Sequence, residues 1–333
     1  MHISTALPAI FTAMMIGWSP ATGQIMLPAP GFHHLHLNSP NPDAAIDYYT
    51  RQFPSTSKAA WGGFPALKSP TDTLLLFNKV DRAPPTQPQT AIWHFGWHVT
   101  DVRKTLAAYK NRADVKLLPL YTGEGDNFVH VSSDALPGTG GVLGLTNAQI
   151  AEAKQKGVRP TGGGGFAYLE GPDGALVEYQ GDRPVERMNH VHMFQEEVFC
   201  AQVWYQKHLN APVSDGRTSA TPLNETNCKS ARGPDRSFPA LEREGTYRVP
   251  RAAVEFSGVA LTWYARQGVQ PLAPTRGQLY DHIGLSVTDL DAWVAKLRRE
   301  GVTFLMEPYR LGDTRAVMIE GPSREAIELV EVK

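Results

Sequence analysis

The sequence predicts an α+β fold assembled from four related modules, each opening with a strand and a helix, and three internal matches lead to that reading. Two segments that begin His-x-His align without a gap at an offset of 156 residues. Two more that run from a His into Val-Thr-Asp align at an offset of 188, and two module ends built on Glu-Gly-Pro align at 150. Self-similarity of this kind marks a duplicated architecture before any single motif is weighed.

In the first pair, HLHLNSPNPDAAIDYYTRQF from His34 falls on HVHMFQEEVFCAQVWYQKHL from His190. His34, His36, Tyr49 and Phe53 then meet His190, His192, Tyr205 and Leu209. In the second, HFGWHVTDVRKTLAAYKNRADVKLL from His94 falls on HIGLSVTDLDAWVAKLRREGVTFLM from His282, placing Gly96, Thr100 and Asp101 on Gly284, Thr288 and Asp289. Each segment alternates in character and then turns to helical spacing, the pattern of a strand followed by a helix. Helices are expected over roughly 102 to 112 and 290 to 300, with Thr100 and Thr288 as N-caps whose hydroxyls accept from the open first turn.

The module ends FAYLEGPDGALVEY and AVMIEGPSREAIEL place Glu170, Gly171, Pro172 and Glu178 on Glu320, Gly321, Pro322 and Glu328. The Gly-Pro step reads as a hairpin turn between strands. The change of offset gives the second module an insertion, placed near 120 to 160, with a helix expected at Asn147 to Lys156. Long insertions in compact domains are more often functional than idle, so a lid or wall over a site is expected. Linkers rich in Pro, Gly and polar residues at 81 to 89, 180 to 187 and 266 to 278 separate modules near 31 to 80, 92 to 180, 188 to 265 and 279 to 333. The polar stretch 213 to 248 is expected to be irregular loop.

A composition of 42% hydrophobic and 20% charged residues suits a soluble globular protein. The formal net charge of -1 leaves no basic field for phosphate backbones, so nucleic acid is not expected as a partner. The apolar run Leu7 to Trp18 is too short to span a bilayer. It reads as the core of a signal peptide over 1 to 23, with Ala21 and Gly23 before a cut at Gln24, which would make the protein periplasmic or secreted and free of the membrane. Cys200 and Cys228 would close a disulfide in an oxidising compartment and stay thiols in a reducing one.

Each module's first strand carries a His at the equivalent place: His34, His94, His190 and His282. Glu178 and Glu328 occupy the matching place in the last strands of the second and fourth modules, where the first and third have Leu76 and Thr262. Two imidazoles and a carboxylate on one face of an ion leave positions open for substrate. Pairing neighbouring modules, 31 to 180 and 188 to 333, gives two such triads: His34, His94 and Glu178, then His190, His282 and Glu328. His36 and His192, two residues past a ligand, and His98, four past His94, share the ligand face by strand parity and are candidate acids or bases. His130 in the insertion is a further catalytic candidate, and Tyr168, just before the hairpin turn, reads as a core residue first and as one that could reach substrate second.

The motifs HHLHLNSPNPDAAIDYY, WHFGWHVTDVRKTLAAY, NHVHMFQ, YDHIGLSVTDLDAWVAKLRREGV and EGPDGALVEY resemble those of the vicinal oxygen chelate superfamily, which includes glyoxalase I, extradiol dioxygenases, methylmalonyl-CoA epimerase and bleomycin-resistance proteins. The resemblance implies four βαβββ modules paired into two cupped mixed sheets. It also implies a divalent metal (Fe, Zn or Mn), up to two per chain, held by the six His and Glu residues, and an oxygen-bearing small molecule as substrate. A three-ligand set is similar to extradiol dioxygenases, the leading expectation. Against it, no additional His and Tyr are legible near the last strands of the second and fourth modules, and export favours zinc or copper over Fe(II). A zinc or manganese lyase or isomerase of the glyoxalase or epimerase kind is the alternative, and a non-enzymatic binding protein of the bleomycin-resistance type the third.

Overall fold

A computed structural model describes residues 27–84, 88–118, 166–181, 183–213, 222–230, 251–265 and 271–332. The expected signal peptide, the insertion with its helix and His130, and most of the stretch 213 to 248 lie outside the described residues.

The first module runs β1 (Gly31–Ser39), α1 (Pro42–Gln52), β2 (Ser57–Trp61), β3 (Phe64–Lys68) and β4 (Leu74–Lys79). The second runs β5 (Ile92–His98), α2 (Val102–Lys110), β6 (Lys116–Leu118), β7 (Phe166–Glu170) and β8 (Leu176–Gln180). The third comprises β9 (Arg187–Gln195), α3 (Val198–Leu209), β10 (Arg251–Phe256) and β11 (Val259–Ala265). Val213 adds an isolated antiparallel bridge to Val254 where its other modules have a further strand. The fourth runs β12 (Tyr280–Val287), α4 (Leu290–Arg299), β13 (Phe304–Leu311), β14 (Thr314–Glu320) and β15 (Ala326–Glu331). Among the described residues no helix is long and apolar enough to cross a membrane.

Helix starts follow local chemistry. Asn41 caps α1 by accepting from the Ala44 amide, with Pro42 in the first turn where its missing N–H costs nothing. The caps of α2 and α4 are Asp101 and Asp289, one residue past the expected threonines. Their carboxylates accept from Lys104 and Ala292 at 2.9 Å. A carboxylate satisfies an open amide and also meets the positive end of the helix dipole.

The modules combine differently from the neighbour pairing expected. An eight-stranded sheet, β13-β14-β15-β12-β1-β4-β3-β2, joins the fourth module to the first, and a seven-stranded sheet, β10-β11-β9-β5-β8-β7-β6, joins the third to the second. In each the first strands pair antiparallel at the centre, β1 with β12 and β5 with β9, flanked by the parallel last strands. The connection from β8 to β9, residues 181–186, is the shortest between modules, and it keeps the second and third together. The longer connections 80–91 and 266–279 pass between sheets, in keeping with the rule that short connections join neighbours.

Odd-numbered residues of β1, β12 and β15, such as Leu35, Ile283 and Ile327, enter an apolar core shared with β5 and β9. Tyr49 of α1 is fully buried between Phe77 of its own sheet and Phe95 of the other. Even-numbered residues of the same strands therefore line the opposite, cupped face. A disulfide joins Cys200 of α3 to Cys228, tying the third module's helix to its following loop.

Glu325, in the turn before β15, is fully buried, accepting from the Tyr205 hydroxyl of α3 at 2.8 Å and from the Ser323 amide at 2.7 Å. Burial outweighs these bonds and raises its pKa from 4.5 to about 7. The folded protein thus keeps a proton that the unfolded chain releases. The associated stability is fully present below about pH 4.5 and is lost as pH rises through about 7. That difference corresponds to about 3 kcal/mol. Glu325→Gln should flatten the pH dependence of the unfolding free energy across that window in denaturant titrations; an unchanged slope would mean that the buried carboxylate folds ionised.

Candidate metal centres

The cupped face of each sheet gathers imidazoles from two first strands and a carboxylate from one last strand. In the eight-stranded sheet, His34 Nε2 lies 3.4 Å from His282 Nε2 and 3.4 Å from Glu328 Oε2, and His282 Nε2 lies 3.8 Å from the same oxygen. Ligands about 2.1 Å from a divalent ion stand roughly 3.0 Å apart in an octahedral set and roughly 3.4 Å apart in a tetrahedral one. Two of the three separations equal the tetrahedral spacing and the third is slightly wider. All three residues are less than 4% exposed, and Glu328 Oε2 has no hydrogen-bond donor among the described residues.

Neighbouring side chains orient the rings. His282 donates from Nδ1 to Asp281 Oδ1 at 2.6 Å, and Asp281 also accepts from Arg276 and the Gly277 amide. His34 Nδ1 faces His33 Nδ1 at 2.9 Å, and His33 packs on Trp61. With Nδ1 engaged, Nε2 of each ring is left to turn its lone pair into the cluster. Burial and the neighbouring imidazoles of His282, His33 and His36 hold His34 well below its ordinary pKa. Burial opposes charge on His282 too, but Asp281 and Glu328 overcome it and raise its pKa. The cluster attracts positive charge yet resists holding it as several protons. One divalent ion satisfies both conditions.

The seven-stranded sheet repeats the arrangement with His94, His190 and Glu178. His94 Nε2 lies 3.2 Å from Glu178 Oε2 and His190 Nε2 3.9 Å from Glu178 Oε1, while His192 Nδ1 approaches Oε2 at 3.7 Å. The Asn189 amide nitrogen lies 2.9 Å from His190 Nδ1 and fixes the orientation of that ring. The four residues offer donor atoms all within 4.8 Å of one another.

The six metal-ligand candidates read from the sequence thus gather in two clusters, but the triads are exchanged. His34 joins His282 and Glu328, and His190 joins His94 and Glu178, because the first strands pair across the first and fourth and the second and third modules. His36 and His192 enter the clusters as parity requires. His98 does not: four residues of strand carry it about 13 Å past His94, to the end of β5 beside Gln180 and Arg187. Tyr168 donates to Glu178 at 2.8 Å, and Tyr309 of β13 donates to Glu328. Sequence reasoning missed Tyr309, Arg276, Asp281, His33 and Asn189. A signal existed for three of them, since a polar residue directly precedes His34, His190 and His282.

A cavity of about 210 Å³ opens on the first centre, with His36, His282, Glu328 and Tyr309 at its polar side and Phe64 and Leu76 at its apolar side. Burial raises the Tyr309 phenol far above its ordinary pKa, reinforced by Glu328, so it stays a proton donor at neutral pH.

Comparison with known proteins accords with this geometry. Residues 187–329, the third and fourth modules, match the Glyoxalase/Bleomycin resistance protein/Dioxygenase superfamily, bearing out the resemblance read from the motifs. Glyoxalase I from Zea mays superposes with a TM-score of 0.57 at 17% identity, over 91% of this chain and 92% of that one. A putative dioxygenase from Bacillus subtilis superposes at 0.50 and 9% identity, over 92% and 86%. Likenesses at such identities are likenesses of fold. No curated protein matches the chain by sequence.

The central strand pairs impose a steric condition on both centres. His34 stands opposite Gly284, and His190 opposite Gly96. A Cβ on Gly284 would lie 2.0 Å from the His34 ring, and one on Gly96 1.8 Å from the His190 ring. The imidazole ring lies across its neighbour's backbone and only glycine leaves that space. Gly284→Ala should displace His34 and cost about 1–3 kcal/mol by overpacking, measured by chemical denaturation. An alanine tolerated without loss would mean that His34 does not lie over β12.

Proposed function

We propose that this chain, with the fold of the glyoxalase and dioxygenase proteins, is a divalent-metal-dependent enzyme acting on a small molecule with adjacent oxygens, and that its open centre is His34, His282 and Glu328. The observation that carries this is the convergence of two Nε2 atoms and a carboxylate oxygen beside a cavity of about 210 Å³. When bound there, zinc or manganese supplies a Lewis acid that polarises a substrate oxygen and stabilises developing negative charge. The chain's own groups do the rest. Arg276 and Asn78 line the cavity with N–H groups, Phe64 and Leu76 shield its apolar side, and Tyr309 holds a proton next to Glu328. The chemistry best suited to these groups is a lyase or isomerase reaction through proton transfer.

A ring-cleaving dioxygenase using iron is the second reading. It is favoured by Tyr309 and His36, which flank the site as the additional Tyr and His expected of that class. The Cys200–Cys228 disulfide supports export to an oxidising compartment, where zinc outcompetes ferrous iron. A binding protein would have no need of two complete ligand sets.

Elemental analysis of purified protein should find close to two equivalents of metal, with His34→Ala and His190→Ala each removing about one. Turnover of small hydroxy- or oxo-compounds without oxygen would support the lyase or isomerase; oxygen-dependent cleavage of catechols with iron would move the assignment to the dioxygenase. Folded, metal-free protein would overturn the enzyme reading.

A further inference from the structure

Each centre contains one imidazole more than the two His and one Glu so far assigned, and both extra rings stand in the same relation to their strands. His36 Nδ1 lies 3.2 Å from His282 Nε2, and His192 Nδ1 lies 3.7 Å from Glu178 Oε2. Both rings present Nδ1, where the other ligand rings with placed partners present Nε2.

We propose, resting on the reading that these clusters hold divalent ions, that His36 and His192 are fourth protein ligands, taking the role that a carboxylate at Leu76 or Thr262 would otherwise fill. Strand register supports the substitution. Glu328 and Glu178 stand beside Gly284 and Gly96 on one flank of each central strand pair, and Leu76 and Thr262 stand beside His36 and His192 on the other. The two flanks are related by the local symmetry of the paired modules, so the empty carboxylate place adjoins the extra imidazole. His36 is 5% exposed, with its ring edge against Phe64. Its Nε2 has no hydrogen-bond partner among the described residues, so no competing bond draws the ring away. The three imidazoles of the first centre offer donors within 4.8 Å, and Glu328 closes on two of them. Three imidazoles and one carboxylate leave two positions on an octahedral ion. Two adjacent substrate oxygens fill them, with no third position for dioxygen, and the lyase or isomerase reading gains accordingly.

The test is X-ray absorption spectroscopy on the full chain loaded with zinc, with chelator competition for affinity. The expected result is three imidazoles and one carboxylate per zinc in the unaltered protein. His36→Ala and His192→Ala should each lower the average imidazole count from three to about two and a half per zinc and weaken one of the two sites at least about tenfold. Adding Leu76→Glu to His36→Ala should restore the affinity without restoring the imidazole. Two imidazoles per zinc in the unaltered protein, with affinities unmoved by either variant, would overturn the fourth-ligand assignment and leave the three-ligand centre standing. Failure of the unaltered protein to bind zinc, manganese or iron would overturn both. The ligand count in the unaltered protein decides the matter even if a variant fails to fold.

Discussion

The molecule depends on one steric bargain struck twice: a histidine ring laid across the backbone of the strand beside it. His34 over Gly284 and His190 over Gly96 bring side chains from two modules to one point without a long reach, and glycine is what makes the approach feasible. The same antiparallel registers set His36 opposite His282 and His192 opposite His94. A strand reading His-x-His must therefore meet one reading His-x-Gly. Once it does, parity sends Leu35, Leu37, Ile283 and Leu285 to the core and the imidazoles to the cup, so the hydrophobic effect that closes the core also fixes the site.

The repeat and the residue types were legible because strand parity and glycine placement are local properties. The His and Glu positions, the module boundaries and the Gly-Pro turns follow from alignment of the chain with itself. Partner choice was not legible in the same way. Both His-x-His strands, at His34 and His190, are sterically compatible with both His-x-Gly strands, at His94 and His282, so the motif admits either pairing. The connections hold the missing information: 181–186, the shortest between modules, joins strands of one sheet, while the longer 80–91 and 266–279 join strands of different sheets. Groups that reach the site from other elements, such as Tyr309 from β13 and Arg276 from the loop before β12, carry no spacing signature relative to the ligands. They become visible only when the sheet is assembled.

Asymmetry between the centres grew on a symmetric frame. The first centre has Asp281 and Arg276 behind His282 and a cavity in front of Glu328. The second has Trp93 packed edge-on to His94 and Tyr264 against His192. Equivalent ligands in unequal surroundings are what allow a duplicated scaffold to give its two halves different duties, because solvent access and neighbouring charge tune a bound ion as much as its ligands do.

The exchanged pairing of modules also sets an order of assembly. The seven-stranded sheet is made from neighbouring modules, so its halves find each other across a short connection soon after both exist. The eight-stranded sheet must wait for the fourth module: His34 and His282 are separated by 248 positions, and β1 has no central partner until β12 arrives. Closing so long a loop is costly in chain entropy and slow. Through most of its synthesis the first module therefore carries an open strand edge, the kind of surface that chaperones cover and that aggregation exploits. The cluster beside the cavity is consequently the later of the two to form: a chain cut short before β12 would retain the grouping of His94, His190 and Glu178 and lack that of His34, His282 and Glu328.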